Sequence, residues 1–169
     1  MGFIYTENSV NAAEIRNMKD KCIPCTGFNF DYCRDDQNLV NLNGDKYNAH
    51  FYFNKDRLYQ GIYVLKEDYV NENNFYLKYK ELKRILTKKY GEPYRVTKNR
   101  TNDRYEGLQE IGRAIETGMY NEYSLWETVN SRIRLYITGE NFDSQLTVRY
   151  KTTDVELRID VDKEMEKTE

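Results

Sequence analysis

"DKYNAHFYFNKDRLYQGIYVL", residues 45–65, decides how the chain is read. A turn at Lys55 and Asp56 makes it a β-hairpin in which Phe53 faces Leu58, Phe51 faces Gln60, Ala49 faces Ile62 and Tyr47 faces Val64. Side chains alternate across a strand, so this pairing sends Ala49, Phe51, Phe53, Leu58, Ile62 and Val64 to one face. His50, Tyr52, Asn54, Arg57, Tyr59 and Tyr63 go to the other. The first face is core, and the second is polar and aromatic.

Downstream the apolar period lengthens to that of a helix. Phe75, Tyr79, Leu82 and Leu86, widened by Ile85, predict a helix from Asn73 to Tyr90. Lys88 and Lys89 complement the dipole of its last turn, Gly91 stands at the C-cap, and Pro93 forbids continuation. Residues 94–118 read as a polar loop with a short helical piece around Leu108 to Ile115. "EYSLWETVNSRIRLYITG", residues 122–139, reads as a second hairpin turning at Asn130 and Ser131. Trp126 and Thr128 then share a face with Ile133 and Leu135, while Glu127 meets Arg134 on the opposite side. "SQLTVRYK", residues 144–151, adds a strand with Leu146, Val148 and Tyr150 inward.

These elements predict an α+β fold: an antiparallel sheet of five to seven strands with the 73–90 helix packed on one face. The 169 residues fit a single domain, 1–169, with a flexible or helical acidic tail from about residue 154. In that tail Thr153 and Glu156 form a capping box, although Val155, Leu157, Ile159 and Val161 alternate as in a strand. Ser9 is placed to cap a short helix through about Met18. The order helix, hairpin, helix, meander suggests two halves of similar build.

Composition narrows the function classes. A net charge of −2 gives no global attraction to nucleic acid or anionic lipid. No apolar run reaches the ~20 residues a membrane helix needs. The start lacks a basic region followed by an apolar one, which predicts a cytoplasmic protein, or an extracellular one if a leader has been removed. A single histidine, with no G-x-S-x-G, P-loop or H-E-x-x-H motif, predicts that the chain is not an enzyme. Sixteen tyrosines exceed what one core can hold with every hydroxyl partnered, so part of them are expected on recognition surfaces.

Two candidate sites follow. All three cysteines lie in "KDKCIPCTGFNFDYC", residues 19–33, and with His50 they make a Cys3His zinc set by count: Cys22, Cys25, Cys33 and His50. The spacing lacks a second knuckle, so ordinary thiols lead, ahead of a disulfide, zinc and a redox pair, and no cofactor is predicted. The second candidate is a partner-binding surface. It joins the hairpin tyrosines Tyr52, Tyr59 and Tyr63 to the basic, tyrosine-interleaved stretch after the helix, with Arg95, Lys98 and Arg100.

The segments "YxFxxxxLYxGxY", "LxxKYGxP" and "WET" with a later "G-[DE]-N" resemble an uncharacterised family of small α+β proteins from Gram-positive bacteria and prophages. Tyr52, Phe53, Leu58, Tyr59, Gly61 and Tyr63 carry the first motif, and Leu86, Lys89, Tyr90, Gly91 and Pro93 the second. Trp126, Glu127, Thr128, Gly139 and Asn141 carry the third, so the resemblance covers about residues 45–153. That family has no assigned activity, and the resemblance implies a fold but no chemistry. The helix-then-sheet order is also similar to the outer-membrane assembly lipoprotein and β-lactamase inhibitory protein folds, both of which bind proteins. The sequence therefore predicts a non-enzymatic protein-binding module, an inhibitor or accessory factor of bacterial or phage origin. The alternative is a zinc- or nucleic-acid-binding regulatory protein.

Overall fold

The computed structural model describes residues 23–24, 31–42, 44–54, 57–101 and 110–154, the first two segments through their backbone alone. The expected tail from 154, the helix after Ser9, Cys22 and Cys25 lie outside the described residues or at their limit. In chain order the elements are β1 (Ile23–Pro24), β2 (Asp31–Leu42), β3 (Asp45–Asn54), β4 (Arg57–Leu65), α1 (Asn73–Tyr90), β5 (Arg95–Arg100), α2 (Ile111–Glu116), β6 (Tyr120–Glu127), β7 (Ser131–Glu140) and β8 (Asp143–Thr152).

All pairings are antiparallel, and the strands lie in the order β1-β2-β3-β4-β8-β7-β6-β5. Strands β1–β4 and β5–β8 are thus two meanders joined through β4 and β8. The α+β architecture and its long helix are as expected. The strand count reaches eight because β2 and the two-residue β1 extend the sheet beyond β3, and β5 extends it beyond β6.

Helix α1 buries Tyr76, Tyr79, Leu82 and Leu86 against the sheet. It ends at Gly91, whose φ of 84° is open to glycine without strain and whose N–H donates to Thr87 O. The Trp126 indole N–H then donates to the Gly91 carbonyl at 2.9 Å, tying the helix end to β6. Helix α2 crosses the start of α1: Gly112 N–H donates to Asn73 Oδ1 at 2.9 Å. Ile115 and Ala114 of α2 join the same core as α1, so both helices cover one face of the sheet.

The first hairpin differs from expectation by one residue. Phe53 does face Leu58, but a bulge follows: Tyr52 pairs with Gln60, Phe51 with Gly61, His50 with Ile62 and Ala49 with Tyr63. One inserted residue exchanges the two faces of everything beyond it. Tyr63 and Leu65 are therefore in the core, and Ile62 and Val64 stand on the other face beside His50 and Asn48. Tyr63 meets Phe51 and Tyr150 edge-on, with ring centroids 6.0 and 6.3 Å apart.

The second hairpin differs by two residues, which leaves its faces intact. Trp126 pairs with Ile133 and Glu127 with Arg132, because Thr128 closes the turn through its N–H to Ser131 O and its Oγ1 from Ser131 N. Trp126, Ile133, Leu135, Leu146, Val148 and Tyr150 are all buried as expected. Glu127 forms an ion pair with Arg132 at 2.9 Å instead of with Arg134.

Candidate functional site

The sequence-expected surface separates into distinct places. Tyr63 is buried in the core and offers no contact surface, which corrects its expected outward position. Tyr59 is the additional residue of the bulge. It is also buried, with the Lys151 ammonium 4.9 Å from its ring centroid. Tyr52 is half-buried opposite Gln60 on β4. From β3 to β5 there are five strand spacings, roughly 24 Å. The hairpin tyrosines and the basic segment thus do not form one contact patch.

The basic segment itself is a strand, not a loop. β5 pairs with β6 on one side and, among the described residues, ends the sheet on the other. Arg95 stands opposite Leu125, while Lys98 and Arg100 stand opposite Glu122 and Tyr120 on the helix-covered face. Arg95, Lys98 and Arg100 are exposed, as are Tyr94 and Val96 beside them. The Arg100 guanidinium lies 5.7 Å from the Tyr120 ring centroid.

Beneath β5 the structure assembles a polar cluster that sequence reading missed. Glu122 is 2% exposed, yet both oxygens of its carboxylate find donors. Tyr120 Oη donates to Oε2 at 2.6 Å, Tyr76 Oη donates to the same oxygen at 3.3 Å, and Lys83 Nζ donates to Oε1 at 3.3 Å. Lys98 Nζ lies 3.9 Å from Oε2. Next to it, Tyr79 Oη and Ser124 Oγ share a hydrogen bond of 2.9 Å. A buried carboxylate needs such donors and cations to offset its lost hydration. The cluster engages both carboxylate oxygens and ties α1, β5 and β6 together. Glu122 alternates with Tyr120, Ser124 and Trp126, so the period of two carried a signal for its inward position.

Buried tyrosine dominates the electrostatics. Burial raises the hydroxyls of Tyr79, Tyr120 and Tyr150 well above their ordinary value of 10.0, and Tyr90 to about 12. Tyr120 is raised further by its hydrogen bond to Glu122. Above pH 10 the unfolded chain loses these protons while the folded chain keeps them, so the unfolded state binds fewer protons and stability falls as pH rises. Below that pH the contribution is fully present. Denaturant midpoints measured between pH 8 and 11 should be flat to about 10 and then drop, together with a cooperative rise in tyrosinate absorbance. Exposed tyrosines such as Tyr94 ionise gradually in the folded state, so the cooperative step comes on top of that background. Its absence through the unfolding transition would contradict the burial.

Of the candidate zinc set, Cys22 and Cys25 lie outside the described residues; among the described residues no group of three or more histidine, cysteine or acidic side chains is placed to hold a metal ion. Cys33 occupies the register position opposite Phe51, whereas His50 stands opposite Arg34, one residue out of step. No described helix is long and apolar enough to cross a membrane. Compared with known proteins, the chain matches no family model, no curated protein and no solved structure.

Proposed function

We propose that the chain is a non-enzymatic protein-binding module that captures an acidic partner segment along β5. The observation that carries this reading is the cationic, exposed terminal strand: β5 has one flank paired to β6 and, among the described residues, ends the sheet. Such an edge presents backbone N–H and C=O groups to an added strand, with side-chain selection at alternate positions. Arg95 on one face and Lys98 and Arg100 on the other select for carboxylates on both sides of the incoming segment. Charged side chains on an edge also repel unwanted copies of the chain itself, so the same residues discriminate between an acidic partner and self-association. An inhibitor or accessory factor acts through a contact of this kind.

Protein is favoured over nucleic acid on two grounds. The net charge is −2, and the faces of Tyr123 and Tyr136 on the sheet are engaged by the Arg134 guanidinium, 4.8 and 4.9 Å from their centroids. Rings engaged in this way are poor platforms for stacking bases.

Selection of a displayed random-peptide library tests the reading. Enriched peptides are expected to carry Asp or Glu at alternate positions. They should bind the wild type roughly ten-fold or more tighter than a variant with Arg95→Glu, Lys98→Glu and Arg100→Glu. Peptides indifferent to that variant would overturn the proposal. Salt-sensitive binding of single-stranded oligonucleotides, lost in the same variant, would favour the nucleic-acid alternative.

A further inference from the structure

On the sheet face away from both helices, β7 and β8 place two arginines directly opposite each other: Arg134 pairs with Arg149. In the adjoining row of the same face, Arg132 pairs with Lys151. Four cations thus occupy one block of two neighbouring strands. Like charges at opposed strand positions repel and cost stability.

The surroundings neutralise only part of this block. Arg132 has Glu127 as its ion-pair partner. Beyond Arg134 on β6 stands Leu125, and beyond Arg149 on β4 stands Ile62. Among the described residues neither Arg134 nor Arg149 has a carboxylate partner. Tyr123 and Tyr136 hold Arg134 by its π-contacts, which orient the guanidinium without using its N–H donors. Nε of both arginines is buried and meets no hydrogen-bond acceptor among the described residues. Thr147, opposite Tyr136 and two residues before Arg149, is 1% exposed, and its Oγ1 is likewise without a partner.

Buried donors aimed at nothing are costly, and two opposed guanidiniums without a counter-charge are more so. One ligand chemistry resolves both. We infer that this face holds a tetrahedral oxyanion of the phosphate class, bound between Arg134 and Arg149 with the Thr147 hydroxyl as a further donor. Planar guanidiniums match such an oxyanion through paired N–H bonds, and its double charge turns the repulsion between the arginines into shared attraction. The site uses none of the β5 residues and stands or falls independently of the partner-binding reading.

Thermal unfolding in inorganic phosphate, against chloride at equal ionic strength, tests the site. The wild type is expected to gain on the order of 5 °C at hundred-fold excess over the dissociation constant. Arg149→Gln should be more stable than the wild type in chloride, because a repulsion is gone, and should lose the phosphate gain. Thr147→Val, nearly isosteric, should fold and bind phosphate more weakly. Phenyl phosphate separates the sources: a larger gain than with inorganic phosphate assigns the phosphoryl group of a larger molecule, and an equal or smaller gain assigns the free anion. No phosphate-specific gain in the wild type would overturn the inference. So would a gain retained in Arg149→Gln, or an Arg149→Gln variant less stable than the wild type in chloride.

Discussion

Gly139→Ala is expected to destabilise the fold by about 3 kcal/mol or more, at the upper end of overpacking substitutions. A Cβ at that position would lie 2.2 Å from Ile115 O, 2.7 Å from Ile115 C and 2.9 Å from Asp143 O. All three are backbone atoms, so no side chain can swing aside. The contact is where α2 sits down on β7, and relief requires the helix to leave the sheet. Gly112 makes the same demand between α2 and α1, with a Cβ 2.5 Å from Asn73 N. Gly61 supplies the control. Its Cβ would meet only the Phe51 ring, at 3.6 Å, an ordinary contact. Alanine at 61 should therefore be neutral or stabilising by up to ~1 kcal/mol, since glycine costs entropy inside a strand. Chemical denaturation of the two variants checks the contrast. Equal effects of Gly139→Ala and Gly61→Ala would contradict the packing of α2 on β7.

The second large effect belongs to Glu122. Its removal by Glu122→Ala leaves the Tyr120 and Tyr76 hydroxyls without their acceptor and two lysines without their counter-charge. Both lysines reach solvent, so the cost is that of two buried hydroxyls left without an acceptor, about 1–3 kcal/mol each, and of the space left behind. Glu122→Gln keeps the shape and an acceptor oxygen but removes the charge, and should cost about 1.5–3 kcal/mol, the range for hydrogen bonds to charged groups. Replacing Lys83 with Met in the Glu122→Gln background should cost less than it does in the wild type, because the pair is already broken. Additive losses in that cycle would show that Lys83 and Glu122 are not coupled. Stability measured at equilibrium decides it.

How far the sequence could be read depends on whether each signal was local. Helix α1 was legible to its last residue because its stripe, its terminal lysines and Gly91 all lie within the segment itself. The hairpins show the sharper lesson. An error of two residues at Asn130 and Ser131 kept Trp126 and Leu135 inward, since the side-chain period is two. A difference of one at the Tyr59 bulge moves Tyr63 from the expected outer face into the core and removes it from the candidate surface. β5, "RVTKNR", reads as loop in the sequence because an edge strand exposed on both sides has no apolar alternation to reveal it. Its basic character is nevertheless legible in the sequence, and its cations are exposed in the fold. Arg134 was legible as outward but was matched to Glu127, and only the pairing of β7 with β8 brings it to Arg149. That meeting depends on register between strands, which no single segment encodes.

The most direct test of the central claim is hydrogen–deuterium exchange at β5, followed with and without a peptide enriched by the wild type. If the peptide adds as a strand, amides of Arg95–Arg100 should become protected while those of β4 and β8, at the sheet centre, stay unchanged. Protection confined to other strands, with β5 unaffected, would contradict capture at this edge.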